Sequence, residues 1–186
     1  DNVVNRIANP LADGQTAITY RMAEMMHISD DQLLGVWPSG VTLDKFTVSR
    51  QTRDWHSTKN NVHIIYIGAL HYQRNLMNLC KAVDLANQDQ ARFTFTMVGG
   101  GTEYDDLKTF AAGTEGRIRV FSPVPHEQVP GLLAQAHVGV LPFPDQERFR
   151  VSSPIKLFEY MASGMPILAT HIACHTDVVG DGTYAF

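Results

Sequence analysis

Between Val62 and Thr170, short apolar runs alternate with segments of helical period, and this alternation constrains the chain more than any other feature. Val62–Ile67 is a near-continuous apolar run of strand length, suited to a strand covered on both faces. Leu76, Leu79, Cys80 and Val83 follow at i, i+3, i+4 and i+7, the spacing of one helix face. Phe93, Phe95 and Met97 alternate toward Gly99-Gly100-Gly101 and predict a second strand with its turn. Thr102 with Asp105 suits a capping box for a helix carrying Leu107, Phe110 and Ala111. Ile118 and Val120 mark a third strand. Val129, Leu132, Leu133 and Ala136 mark a third helix, with Pro130 in its first turn or at a kink. Val138–Leu141 reads as the fourth strand.

The segment 152–170 closes the series. Ser153 suits an N-cap and Pro154 the first helical position, where its φ is already set. Gly164 supplies a left-handed stop, Pro166 forbids continuation, and residues 166–170 form a short apolar strand. Alternation of this kind predicts an α/β fold, a doubly wound, Rossmann-like parallel sheet with right-handed crossovers. With strand order 3-2-1-4-5, the winding reverses between the first and fourth strands. Ligands of such sheets bind beyond the carboxyl ends at that reversal, which singles out the loops 68–75 and 142–153.

Bulk properties exclude several classes. The chain has 186 residues, 44% apolar and 18% charged, enough for an ample core and unlike a disordered chain. Its formal net charge of −4 argues against a nucleic-acid platform. No apolar run reaches the roughly 18 residues of a membrane span, and no signal-peptide pattern opens the sequence. Cys80 and Cys174 lack CxxC spacing and are expected to be buried free thiols in a reducing compartment. Both ends look cut: residue 1 is not Met, and Tyr184-Ala185-Phe186 reads as the start of a strand, so a fragment of a longer enzyme is expected.

Residues 1–61 read as a segment leading into the sheet domain, which is expected to occupy 62–186. Ile18, Met22, Met25 and Met26 give Thr16–Met26 helical spacing, Leu33–Trp37 suits a short strand, and Asn60-Asn61 ends a polar stretch. Among candidate ligand groups, Gly68 follows the first strand directly and lets an anion approach the backbone. Arg74 precedes the next helix, where its guanidinium and free N–H groups would converge on one anion; a solvated helix-leading arginine fits the spacing equally. Arg148 and Arg150 lie in the second key loop, whose charges also suit simple solvation. Ser152 and Ser153 sit at a helix mouth. Gly99-Gly100-Gly101 lacks the G-x-G-x-x-G spacing of a dinucleotide site. His171 and His175 have an i, i+4 spacing but no accompanying HExxH, and no metal is expected.

The string Pro154-Ile155-Lys156-Leu157-Phe158-Glu159-Tyr160-Met161-Ala162-Ser163-Gly164-Met165-Pro166 resembles the signature of group 1 (family 4) glycosyltransferases. Pro38-Ser39-Gly40-Val41-Thr42-Leu43-Asp44-Lys45-Phe46 resembles the turn that leads into their second domain. The resemblance implies one half of a GT-B fold, the C-terminal donor-binding domain of a retaining, metal-independent enzyme. Such an enzyme moves a sugar from a nucleotide diphosphate sugar to an acceptor and needs no further cofactor. It implies catalytic roles for Arg74 and Lys156, and a donor site formed by Gly68, Gly99, Gly101, Val124, Ser152, Ser153 and Glu159. Glu159 takes the place of the family's second motif glutamate, which accepts hydrogen bonds from both ribose hydroxyls; the alternative is an exposed residue paired with Lys156 at i, i+3. Val151 stands where the first motif glutamate would be, and Ala69 where an arginine is usual. The implied partners are the nucleotide sugar and an N-terminal acceptor domain that would carry any peripheral membrane contact, in the cytoplasm at the inner membrane face. A nucleotide-sugar epimerase of the same fold and a non-catalytic nucleotide-binding or scaffold domain remain alternatives.

Overall fold

The computed structural model describes Ile7 and residues 11–59, 61–88 and 92–180. Asn60 and the strand start expected at Tyr184-Ala185-Phe186 lie outside them. The chain divides into two compact units that are discontinuous in sequence. One draws on residues up to Gly40, Asp145–Ile155 and the stretch from His171; the other comprises Val41–Pro144 and Lys156–Thr170. Residues 41–59, expected to belong to the leading segment, cluster with the sheet instead.

In the first unit, β1 (Gln15–Ala17) pairs in parallel with β2 (Leu33–Val36), joined by α1 (Tyr20–Met25). The helix expected from Thr16 therefore starts four residues later. Thr19 is the reason: its backbone is extended, and its hydroxyl accepts the Met22 N–H at 3.0 Å as N-cap. Ala17, Ala23 and Ile28 form the small core, with Met22, Met26 and Leu33 packed against it. Distant segments are tied in by polar bonds. Thr19 Oγ1 donates to Val151 O at 2.7 Å, and Arg21 pairs with Asp177 at 2.6 Å.

The second unit is the expected sheet. β3 (Val62–Ile67), β4 (Phe93–Val98), β5 (Ile118–Phe121), β6 (Val138–Leu141) and β7 (Ile167–Ala169) lie in the order β5-β4-β3-β6-β7. All pairs are parallel, with Ile64 opposite both Phe95 and Val138. This is the 3-2-1-4-5 order read from the sequence, counted from β3. The central strand residues Ile65, Tyr66, Phe95 and Met97 are almost wholly buried, as a strand covered on both faces requires. Cys80 lies among them, its Sγ 3.8 Å from Met97 Sδ, and burial pushes its thiol up to about 12. Cys80 and Cys174 are both free and buried.

Helices fill the crossovers: α3 (Leu76–Ala86), α4 (Tyr104–Ala112), α5 (Val129–Ala134) and α7 (Ile155–Ala162). Two further helices, α6 (Glu147–Arg150) and α8 (Ala173–Val179), belong to the first unit, α7 being shared at Ile155. Pro130 lies in the first turn of α5, as expected. Two caps differ from expectation. The Thr102 N–H is spent on His71 Nδ1 at 3.0 Å, and α4 begins after Glu103 with no side-chain cap. Ser153 Oγ accepts the Ser39 N–H at 2.9 Å, so it does not cap α7, which begins after Pro154. Among the described residues no helix is long and apolar enough to cross a membrane.

A helix missed by periodicity, α2 (Leu43–Thr52), packs on α5. Its own pattern is weak, and long-range polar anchoring holds it. Ser49 Oγ donates to Pro130 O at 2.6 Å. Just beyond the helix, Arg53 is buried and donates to Ala136 O at 2.6 Å, Leu133 O at 3.0 Å and Ser163 O at 2.8 Å. These carbonyls end α5 and α7, so the guanidinium meets the negative ends of two helix dipoles. Burial lowers its pKa, and the carbonyls offset that cost.

At the amino edge of the sheet, His137 Nδ1 accepts the His63 N–H at 2.9 Å, while His63 Nε2 lies 2.8 Å from Thr96 Oγ1. Burial, opposed by a bond to Gln135 O and aided by His137 and Arg119, lowers the His63 pKa. The unfolded chain then takes up a proton first, so stability is full above the free-histidine pKa of 6.5 and declines as pH falls below it. Urea midpoints should drop between about pH 7.5 and about pH 5.5, and His63→Gln should flatten that slope. Arg53→Ala should cost about 3 kcal/mol in the same measurement, because four carbonyls lose their donor at once.

Candidate functional site

Beyond the carboxyl ends of β3, β4 and β5, the second unit forms a cleft of about 270 Å³. Ile67–Ala69, Val98–Gly100, Pro123 and Val124 line it. The ladder continues past the strands: Gly68 N–H donates to Val98 O at 2.9 Å, and Gly99 N–H to Phe121 O at 3.0 Å. The two turns approach too closely for side chains. At Gly99, with φ +158°, a Cβ would collide with the Gly68 carbonyl. At Gly68, with φ +152°, it would strike Lys156 Cε and lie 3.0 Å from Nζ. Gly101 abuts the Leu70 carbonyl, beside the same turn. Gly68, Gly99 and Val124 thus line one cleft, and Gly101 stands outside its lining.

The cations come from the loop after β3 and from α7. Arg74 ends a one-turn 3₁₀ segment, Tyr72–Arg74, and its guanidinium lies over the Phe143 ring at 4.5 Å. Phe143 follows β6, so the loops after β3 and β6 meet where the winding reverses. Lys156, in the first turn of α7, is half-buried against Gly68. It makes no hydrogen bond or ion pair with a described residue. Burial lowers its pKa, Glu159 raises it, and Arg74 lowers it further. The amine therefore feels both a carboxylate and a guanidinium.

Glu159 is buried, with 4% of its side chain exposed. The exposed Glu159–Lys156 pair considered as the alternative is not what forms. Glu159 Oε1 instead lies 2.8 Å from His126 Nε2, in the 3₁₀ turn His126–Gln128 after β5. A carboxylate oxygen only accepts, so Nε2–H is the donor. The His126 ring meets the buried Phe46 of α2 edge-on, centroids 6.4 Å apart. Lys156 thus feels the charges of Arg74 and Glu159, and His126 is a partner of Glu159 that the sequence does not announce. The stiff Pro123-Val124-Pro125 run just before it is the one local signal.

Other candidates are engaged elsewhere. Ser152 and Ser153 belong to the first unit: Ser152 Oγ donates to Phe149 O at 2.7 Å, and Ser39 Oγ to Ser153 O at 2.7 Å. Arg148 donates to Gln146 Oε1 at 2.6 Å, and Arg150 makes a two-bond pair with Asp145, holding that carboxyl below its usual range. Both arginines are thus tied within the first unit. Val151 is buried, its carbonyl taken by Thr19. His171 lies in a bend and His175 within α8, so they do not share a helix face. Near the mouth of α3, expected to converge with Arg74 on an anion, lies buried Glu103, whose pKa is raised by burial against the opposing pull of the Met77 backbone N–H.

Residues 61–186 match the family model described as "Glycosyl transferases group 1". The O-antigen chain mannosyltransferase B of Escherichia coli is 28% identical over 123 residues, which is 64% of this chain and 31% of that protein. Anabaena HepE, solved in complex with UDP-glucose, superposes with a TM-score of 0.74 at 17% identity over 100% of this chain and 53% of its own. WaaG, a glycosyltransferase involved in lipopolysaccharide biosynthesis, gives 0.67 at 15% identity over 89% of this chain and 46% of its own. The chain therefore spans about a third of the curated relative and about half of these structures. At such identities the structural likeness concerns the fold.

The cleft's geometry depends on Gly99 lacking a side chain. Gly99→Ala should lower unfolding stability by about 2 kcal/mol, measured by urea denaturation, because the obstruction is backbone and the φ disfavours an L-residue.

Proposed function

This chain belongs to the group 1 glycosyltransferases, and we propose that its sheet unit binds the donor of an enzyme that transfers a sugar from a nucleotide diphosphate sugar to an acceptor. The observation that carries the reading is the Arg74–Lys156–Glu159 neighbourhood at the sheet's reversal, with two cations and one buried carboxylate beside a glycine-walled cleft. The UDP-glucose bound by Anabaena HepE supports the donor class.

Breaking the bond from the anomeric carbon to the diphosphate oxygen leaves negative charge on the leaving group. Lys156 and Arg74 stabilise that charge as it grows. They act from a partly desolvated setting, where each interaction is stronger than in water. Gly68 leaves room for the Lys156 stem and Gly99 for the Gly68 carbonyl, which sets the ammonium group beside the seat of the diphosphate. Val124, on the cleft wall, lies against the base, and Glu159 takes the ribose hydroxyls. In this reading the two cations serve without a metal, and configuration is retained, as the 152–170 signature suggests. The acceptor is held by another part of the protein, at the cytoplasmic face of a membrane.

Isothermal calorimetry with UDP, GDP and ADP tests this on the chain as it stands. One nucleotide should bind, unaffected by a chelator, and Lys156→Ala or Glu159→Ala should each weaken it about tenfold. Absence of binding to all three, or unchanged affinity in both variants, would overturn the reading.

A further inference from the structure

His126, which contacts the motif residue Glu159, belongs to neither resembling segment. Glu159 is buried with 4% of its side chain exposed, whereas His126 keeps 58% of its side chain in solvent. A histidine with that much freedom has little structural reason to hold one orientation. Here two contacts hold it: Phe46 meets the ring edge-on, and Glu159 Oε1 takes its Nε2–H at 2.8 Å. The carboxylate is thereby held at one oxygen from the loop after β5. Its charge is also felt by Lys156, one turn earlier on α7. A carboxylate so restrained cannot swing freely about its last torsion, which leaves Oε2 and the second lone pair of Oε1 in a defined plane.

We propose that His126 is a positioning residue that orients the Glu159 carboxylate toward a vicinal diol, and so sets how strongly the site prefers a ribonucleotide over its 2′-deoxy counterpart. The inference rests on the donor-site reading above, because it needs Glu159 to meet a ribose. A diol donates two hydrogen bonds, and both are strong only if both acceptor directions are fixed in advance. With one hydroxyl missing, the site loses one bond and leaves an oxygen unpaired, a larger loss in a fixed carboxylate than in one free to turn. His126 thus acts on discrimination more than on overall affinity. Phe46 acts behind it, keeping the imidazole in place.

The test measures, by calorimetry, the affinity ratio between the best-bound nucleoside diphosphate and its 2′-deoxy form. The proteins are the unaltered chain, His126→Phe, His126→Gln and Glu159→Gln. His126→Phe keeps a ring against Phe46 and removes the donor, while His126→Gln retains an N–H able to reach a carboxylate. Thermal midpoints confirm that each variant is folded. The expected result is a preference of about tenfold in the unaltered chain, reduced to about twofold in His126→Phe and largely restored in His126→Gln. Glu159→Gln should also lose the preference. A preference that Glu159→Gln abolishes but His126→Phe leaves intact would overturn the proposal while the donor-site reading stands. A chain that binds no nucleoside diphosphate, or shows no ribose preference with Glu159 intact, would overturn both.

Discussion

Among the described glycines, Gly99 is the one most tightly enclosed, and what encloses it is another backbone turn. The Gly68 carbonyl occupies the space where Gly99 would carry a Cβ, and the stem of Lys156 occupies the equivalent space at Gly68. One bare patch of backbone thus brings the ends of β3 and β4 together and leaves a slot for an ammonium group. From it follow the cleft wall and the half-burial of Lys156. Arg74 adds the remaining charge from the same loop, braced on Phe143 across the reversal of winding. The site is therefore a property of the sheet's edge, where parallel strands end together and their turns crowd.

Charge placement around that edge is economical. Glu103 is buried near the mouth of α3, where the Met77 N–H favours its charge and burial opposes it. Arg53 works similarly on the opposite polarity, gathering carbonyls at the ends of α5 and α7. Removing either group would expose bare helix ends inside the unit. The first unit keeps its own ionic contacts, Arg21 with Asp177 and Arg150 with Asp145, near water.

The sheet was legible because its strands are short, apolar and separated by helices of clear period. β3 and β6 run over the residues their composition marks. What escaped was decided by partners far along the chain. Nothing near Glu159 reveals that its hydrogen-bond partner is His126, thirty-three residues earlier. Ser153 has the chemistry of a cap, and its hydroxyl is drawn to Ser39 instead. α2 has no periodic face and persists through Ser49 and the nearby Arg53. Thr19 is the converse case: a local cap overrode the apparent helical spacing of Ile18. The two resembling segments, 38–46 and 152–170, turn out to be joined physically through Ser39 and Ser153, a link no reading of either alone contains.

The first unit is assembled from three separated stretches, and its bonds span 114 residues from Ser39 to Ser153, 132 from Thr19 to Val151 and 156 from Arg21 to Asp177. Closing loops of that length is slow compared with forming local helices. During synthesis Thr19, Arg21 and Ser39 must wait for Val151, Asp177 and Ser153 to leave the ribosome. Meanwhile β3–β5 and their helices already possess their own neighbours. Order of emergence thus favours the sheet, with the long-range bonds of the first unit among the last to form.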